Sequence, residues 1–312
     1  MVAWALCAMS CANNKAAVHQ AAGGQSSVPQ FDADSAYALV ARQCEFGPRV
    51  PGTSAHAACA QWLTRQLEAV ADTVLVQQAS VTTFDGTKLG LKNIYAAFRP
   101  EIENRVLLLA HWDCRPWADA DPDPSMRRRP VMGANDAASG VAVLLELARC
   151  LRGMPPTVGV DILLVDVEDW GTDGDEDSWA LGTQYWARHP QWVSTTPHYG
   201  VLLDMVGARG ARFAPEYFSM EYASGFVGHV WNVAREAGYG NYFVGTQGGA
   251  VTDDHIYINR IAGIPCLDII DMRPDQEGSG FFSAWHTTHD TMDQIDPSTL
   301  KAVGQTLLHL LY

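Results

Sequence analysis

Residues 160–169 read VDILLVDVED. Residues 160–167 form a short run rich in Val, Ile and Leu, and the run ends on two adjacent carboxylates, Glu168 and Asp169. A run of this length, bounded by polar residues, reads as a strand buried on both faces. The same pattern recurs at residues 106–110, 201–206 and 264–270, with helical spacing between the runs at 139–151 and 216–237. Nearer the N-terminus, residues 34–44 and 54–71 carry apolar positions at helical spacing. Residues 74–81 and 91–98 alternate as strands around an Asp85-Gly86 turn. Buried strands alternating with helices predict an α/β fold, a single three-layer domain in which helices flank a mostly parallel, mixed central sheet. There is no internal repeat and no second linker, so residues 31–312 are expected to form one domain behind a distinct segment at 1–30.

Hydrophobic residues make up 47% of the 312 and charged residues 18%, which is enough apolar surface for a core and excludes a disordered or fibrous chain. Twenty-one Lys and Arg against 35 Asp and Glu leave a formal charge of −14. A surface this acidic repels phosphate backbones and anionic lipid, so neither nucleic acid nor membrane contact by the domain is expected. The basic run Arg127, Arg128 and Arg129 sits among Asp and Pro residues and reads as a solvated loop. The opening residues MVAWALCAMSC are apolar, too short to span a bilayer, and lack a basic n-region. They admit two readings. One is a lipoprotein signal ending before Cys11, with residues 13–30 as a tether and a periplasmic or cell-envelope location; the other is an ordinary tail or a misplaced start. Cys44, Cys59, Cys114, Cys150 and Cys266 show no CxxC spacing and are expected to be buried small apolar residues.

The informative feature is where polar residues fall. In an open α/β sheet, ligands bind beyond the carboxyl ends of the strands. The run at 106–110 leads into His111-Trp112-Asp113, the loop before the 139–151 helix carries Asn135-Asp136, and the run at 160–167 ends in Glu168-Asp169. The run at 201–206 contains Asp204, and two later segments carry Asp253-Asp254-His255 and Trp285-His286-Thr287. A catalytic zinc takes three protein ligands and leaves one position open. Asp136, Asp169 and His286 would supply that set. Singly, each has a plainer reading: Asp136 as a helix N-cap, Asp169 as part of the solvated acidic loop through Asp177, and His286 as a core histidine with His289 as the ligand instead.

Two adjacent carboxylates at a strand end are costly to bury unless a cation neutralises one of them. If Asp169 binds metal, Glu168 is left as a general acid/base. Asp204 and Asp253 form a second carboxylate group, expected to share a proton through a short hydrogen bond. His111, with Asp204 and a bridging Asp136, is a candidate for a second metal site.

The segments AHWDCRPWADADPDP, GANDAASGVAVLLELAR, DILLVDVEDWG, VLLDMVGA, TDDHIYINRIAGIP and WHTTHDTMDQID resemble the glutaminyl cyclases of animal and bacterial type, relatives of the zinc aminopeptidases, from about Gly47 to the C-terminus. The resemblance implies a zinc-aminopeptidase-like fold over 31–312 and one zinc per chain on Asp136, Asp169 and His286. It implies Glu168 as proton shuttle, Asp204 and Asp253 as its hydrogen-bonded partners, and Trp285 lining the pocket. The implied substrates are peptides and proteins with N-terminal glutamine, cyclised to pyroglutamate with loss of ammonia. The sequence departs from the animal pattern in two places. Asp169 stands for the second residue of a Glu-Glu pair, one methylene shorter, and the loop from Trp170 to Trp179 differs so much that Trp179 is only the better choice for a second pocket-lining indole. The alternative activity is a two-zinc aminopeptidase, with His111 and Asp204 holding the second ion. A non-enzymatic binding or scaffold protein on a dead hydrolase fold is disfavoured by the retention of Glu168 with three plausible ligands.

Overall fold

The computed structural model describes Met1 and residues 28–273 and 280–312; the expected signal after Met1, Cys11 and the expected tether as far as residue 27 fall outside the described residues, while the tether's last residues lie against the domain, with Val28 on the core and the Pro29 carbonyl accepting from Gln305 at 3.0 Å. In chain order the elements are α1 (Ala33–Cys44), α2 (Ser54–Glu68), β1 (Thr73–Thr82), β2 (Lys88–Phe98), β3 (Arg105–His111), α3 (Ala138–Gly153) and β4 (Gly159–Val165). They continue with α4 (Leu181–Arg188), β5 (Tyr199–Asp204), α5 (Tyr217–Glu236), α6 (Asp254–Tyr257), β6 (Cys266–Ile270) and α7 (Pro297–Leu311).

The six strands form one sheet in the order β1-β2-β4-β3-β5-β6. β4, β3, β5 and β6 run parallel to one another, while β1 and β2 are antiparallel at one edge. The four parallel strands therefore present all their carboxyl ends along one side. Alternation within these strands feeds two cores. Val106, Leu108 and Ala110 of β3 join the large cluster beneath α1, α2, α3, α5 and α7, whereas Leu107 and Leu109 pack with Trp186 of α4 and Ile258 on the other face. Both faces of the central strands are buried, which explains why they read as continuous apolar runs. At the opposite end from the carboxyl edge, the one charge inside β4, Asp161, is held by Arg105 at 2.7 Å and by the Tyr95 hydroxyl at 2.5 Å.

Differences from the sequence expectation are local. The runs at 160–167 and 201–206 each stop two residues early as strands, at Val165 and Asp204. Val167 and Met205 take left-handed φ values of 54° and 49°, which turn the chain out of the sheet and free the residues around them for the site. α4, α6 and α7 were not marked by the pattern. For α7 the signal is nonetheless present: Asp296 caps the helix by accepting from the Ser298 amide at 2.9 Å, and Pro297 follows in the first turn. Asp136 is not the N-cap of α3, a position taken by Ala137 with no side-chain cap. The cysteines met expectation, with Cys59, Cys114, Cys150 and Cys266 buried, Cys44 half-buried and all five free.

α3 lies so close to the sheet that a Cβ on Gly140 would meet the Leu203 carbonyl oxygen at 2.3 Å and Ala110 Cβ at 3.1 Å. Gly153, in the last turn of the same helix, has nothing within 4 Å. Gly140→Ala is expected to lose about 1–3 kcal/mol of stability by overpacking. Gly153→Ala is expected to hold or gain up to about 1 kcal/mol. Urea midpoints of the two variants check this, and equal midpoints would refute the close approach.

Candidate active site

The carboxyl edge gathers side chains from six places. β3 ends on His111, β5 ends on Asp204, and the turn after β4 carries Glu168 and Asp169. The loop before α3 carries Asp136, and the residue preceding α6 is Asp253. Trp285 and His286 arrive on the segment before α7. A cavity of about 270 Å³ lies over them, and its lining includes Asp136, Glu168, Asp169, Asp204, Asp253 and His286, with Trp179 and Trp285 in its walls. Every candidate named from the sequence is therefore at this one site, with His111 buried beneath the cavity floor. His289, the other histidine considered, is exposed.

Asp136, Asp169 and His286 each offer a donor atom, and these three atoms lie within 4.8 Å of one another. His286 Nε2 is 3.3 Å from Asp169 Oδ1 and 3.7 Å from Asp136 Oδ2. Asp169 Oδ2 is buried without a hydrogen-bond partner. Two carboxylates and one imidazole converging from beneath, an orphaned oxygen among them and an open side towards the cavity, fit a zinc with a free fourth position. Both indole planes lie within 17° of the His286 ring plane, Trp285 at 3.7 Å and Trp179 at 6.2 Å between centroids.

The remaining acids differ in charge state for physical reasons. Burial pushes Glu168 well above the usual carboxyl range; the charges of Asp253 and Asp169 add to this, and His111 only partly opposes it. Asp253 is likewise raised well above its usual value, first by burial and then by Asp204 and Asp254. Asp136 is lowered: burial opposes this, but the hydrogen bond and charge of His111 outweigh it. His111 Nε2 sits 3.0 Å from Asp136 Oδ1 and 3.3 Å from Asp204 Oδ1. Burial disfavours its charged form, yet its bonds to Asp113, Asp136 and Asp204 raise its pKa well above that of free histidine.

Asp253 accepts from the amide of Asp254 through Oδ1 at 2.6 Å, as the cap of α6, and its Oδ2 has no partner. Asp204 Oδ1 bonds to His111 Nε2 at 3.3 Å. The charge of Asp204 helps raise Asp253, as expected of two neighbouring acids.

Residues to which the sequence reading gave no role hold the site's loops. Asp113 accepts from the amides of Glu168 at 3.1 Å and Asp169 at 3.3 Å, and Asp290 accepts from those of Asn135 at 2.8 Å and Asp136 at 3.0 Å. Arg115 donates to the Asp169 carbonyl at 3.2 Å and to its Oδ1 at 3.3 Å, while Arg49 ties down the carbonyls of Met132 and Gly133. Asp113 and Asp290 each lie within a few residues of a candidate in sequence, but nothing in their spacing distinguishes a loop-holding acid from a solvated one. Of the five non-glycine residues with left-handed φ among the described residues, Val167, Ala180 and Met205 adjoin candidates and His286 is one. Strain of this kind collects where a site over-determines the backbone.

Residues 93–311 match the model of peptidase family M28, and the chain belongs to that family. More particularly, it is similar to the glutaminyl cyclase of Bacteroides thetaiotaomicron, solved with N-acetylhistamine bound: 47% identical, covering 92% of this chain and 99% of that one, with a TM-score of 0.89. A structure from Parabacteroides distasonis described as a Zn-dependent exopeptidase is 50% identical over the same 92% and 99%, also at a TM-score of 0.89. The glutaminyl-peptide cyclotransferase of Bos taurus is 25% identical over 83% of this chain and 76% of its own length.

Asp290→Ala frees the loop that aims Asp136. This variant is expected to lower zinc affinity about 10–100-fold while keeping its far-UV circular dichroism. Chelator competition measures this, and unchanged affinity would mean the loop is held elsewhere.

Proposed function

We propose that this chain is a zinc-dependent glutaminyl-peptide cyclotransferase, closing the N-terminal glutamine of peptides and proteins to pyroglutamate with release of ammonia. The observation that carries the reading is Glu168: a buried carboxyl with a strongly raised pKa, lining the same cavity as the Asp136, Asp169 and His286 donor set. The match to cyclase relatives at up to half identity over nearly the whole chain supports it.

One zinc per chain would be held by Asp136, Asp169 and His286, and when bound it supplies Lewis-acid polarisation of the γ-amide carbonyl. The lone pair of the substrate's neutral α-amine attacks the γ-carbon, and Glu168 takes the proton that the attacking nitrogen sheds as the new N–C bond forms. It passes that proton to the departing nitrogen, so the old C–N bond breaks to release ammonia rather than an amide anion. A carboxyl with a raised pKa can do both near neutrality. Trp285 and Trp179 wall the cavity and hold the glutamine side chain folded, so that nucleophile and electrophile, already in one residue, meet. Asp253, raised and with one oxygen unpartnered, orients the amino group. The donor atoms of His111, Asp136 and Asp204 also lie within 4.8 Å of one another, so the number of ions bound separates the two activities. The aminopeptidase alternative needs a second ion and is the weaker reading.

Glu168→Gln is expected to retain one zinc per chain and lose about 10²–10⁴ in kcat, measured as ammonia release and loss of about 17 mass units from a glutaminyl peptide. Free arylamine from a leucyl arylamide, or two zinc ions per chain in the wild type, would favour the peptidase instead.

The proposal extends to a cell-envelope, periplasmic location with lipid on Cys11, supported by the residue pattern of 1–30. Cys11→Ala is expected to abolish incorporation of labelled fatty acid and move the protein to the soluble fraction. Labelling that persists in this variant would remove the anchor.

A further inference from the structure

Every titratable side chain lining the cavity is an acid except His286. Most have work in the chemistry proposed above, but Asp173 and Glu176 do not. They lie on the loop between β4 and α4, line the cavity and are exposed to solvent. Among the described residues, neither side chain makes a hydrogen bond or an ion pair. Arg260 feels the charge of Glu176, yet it donates its Nε–H to the Tyr222 hydroxyl at 3.1 Å, and its guanidinium lies over the Phe218 ring. No Lys or Arg lines the cavity.

The loop that carries these two acids is tied down at several points. Ser178 Oγ accepts from the Thr172 amide at 2.9 Å and donates to the Asp175 carbonyl at 2.6 Å. Gln184 donates to the carbonyls of Asp177 and Trp179, both at 2.8 Å, and the Tyr257 hydroxyl donates to the Glu176 carbonyl at 2.6 Å. The backbone that carries the two carboxylates is thus held beside the cavity, so only their side chains need ordering on use.

We propose that Asp173 and Glu176 select substrates whose residue after the N-terminal glutamine is Lys or Arg. The inference rests on the cyclase reading and deepens it. For reaction the glutamine must point inward towards Glu168, so the chain that follows leaves through the mouth past these two acids. The apolar lining residues Met205, Val251 and Phe281 match the aliphatic stem of a long basic side chain, whose charged end stays with the carboxylates. Asp175 and Asp177 on the same loop, and the chain's net charge of −14, add to the attraction. The α-amino group common to every substrate is drawn in equally, so it cancels from the comparison between substrates.

The experiment compares kcat/KM for the tripeptide amides Gln-Lys-Ala, Gln-Ala-Ala and Gln-Glu-Ala, using the full chain loaded with zinc, at low and high salt. The expected result is a Lys-over-Glu preference of about 3–10-fold at low salt, the size that exposed carboxylates can supply. It should shrink towards one at high salt, where screening shortens the reach of exposed charges. It should also shrink in the double variant Asp173→Asn/Glu176→Gln. Equal rates at low salt overturn the inference and leave the cyclase reading standing. A preference that survives in the double variant overturns the assignment to these two residues. Failure of Gln-Ala-Ala to release ammonia removes the cyclase reading and the inference with it.

Discussion

Seven carboxyl groups crowd the carboxyl edge of one sheet: Asp136, Glu168, Asp169, Asp204 and Asp253 at the cavity, with Asp254 and Asp268 behind them, all buried. Charges in such surroundings cost several kcal/mol each unless compensated, so the group cannot be uniformly ionised. The fold resolves this by dividing it. On one side His111 and His286 favour the charged form of Asp136, leaving an anion ready for a cation. On the other, burial first and neighbouring carboxylates second push Glu168, Asp169, Asp204, Asp253 and Asp268 towards the protonated form. Asp169 is in this second group although it belongs to the donor set, so a cation bound there has to displace its proton. A held anion and a reserve of protonated carboxyls in one cavity are what an amide-activating, proton-shuttling reaction needs.

Such a site tolerates little looseness, although most of its members sit on loops. What fixes them is a further set of polar groups bonded to backbone rather than to ligand atoms. Asp113 receives the Glu168 and Asp169 amides and Asp290 receives those of Asn135 and Asp136, so each metal-side loop is gripped by a carboxylate from elsewhere in the chain. Arg115 adds a cation to the carbonyl side of Asp169, which also offsets part of the negative charge there. The left-handed residues Val167 and Met205 complete the arrangement by turning the chain sharply at the ends of β4 and β5. Side chains that would otherwise continue the sheet's alternation are thereby brought over its edge.

The sheet and the location of the site were legible because burial on both faces leaves a plain mark: runs such as 106–110 and 160–167 have no polar alternation, and their ends are where polarity returns. The candidates converge for the same reason, since four parallel strands bring their carboxyl ends to one side. Strand ends were misjudged by two residues because a valine in the left-handed region looks, in sequence, like one more strand residue. α7 was missed despite its Asp296-Pro297 start, its apolar face blending into the surrounding hydrophobic content. The partners of Asp204 and Asp253 that the structure does show, the His111 ring and the Asp254 amide, could not be read from spacing, because one is distant in the chain and the other is backbone. The roles of Asp113 and Asp290 were not legible because their partners are backbone amides, which every residue but proline has.

Relatives described as a glutaminyl cyclase and as a zinc exopeptidase match this chain about equally well, at 47% and 50% identity with the same TM-score. The fold and the Asp136, Asp169 and His286 set therefore do not by themselves separate ring closure from hydrolysis. One place where the two activities can part is the group His111, Asp136 and Asp204, whose donor atoms lie within 4.8 Å of one another. His111 is within 3.3 Å of both acids, and Trp285 lines the cavity above. A protonated His111 would offset the charge of the two acids, whereas a neutral one would join them as a ligand to a second ion and its bound water. On the cyclase reading proposed above, the attacking amine and the amide carbon belong to one residue, so ring closure needs no second bound nucleophile, whereas hydrolysis needs a water held and activated beside the same amide.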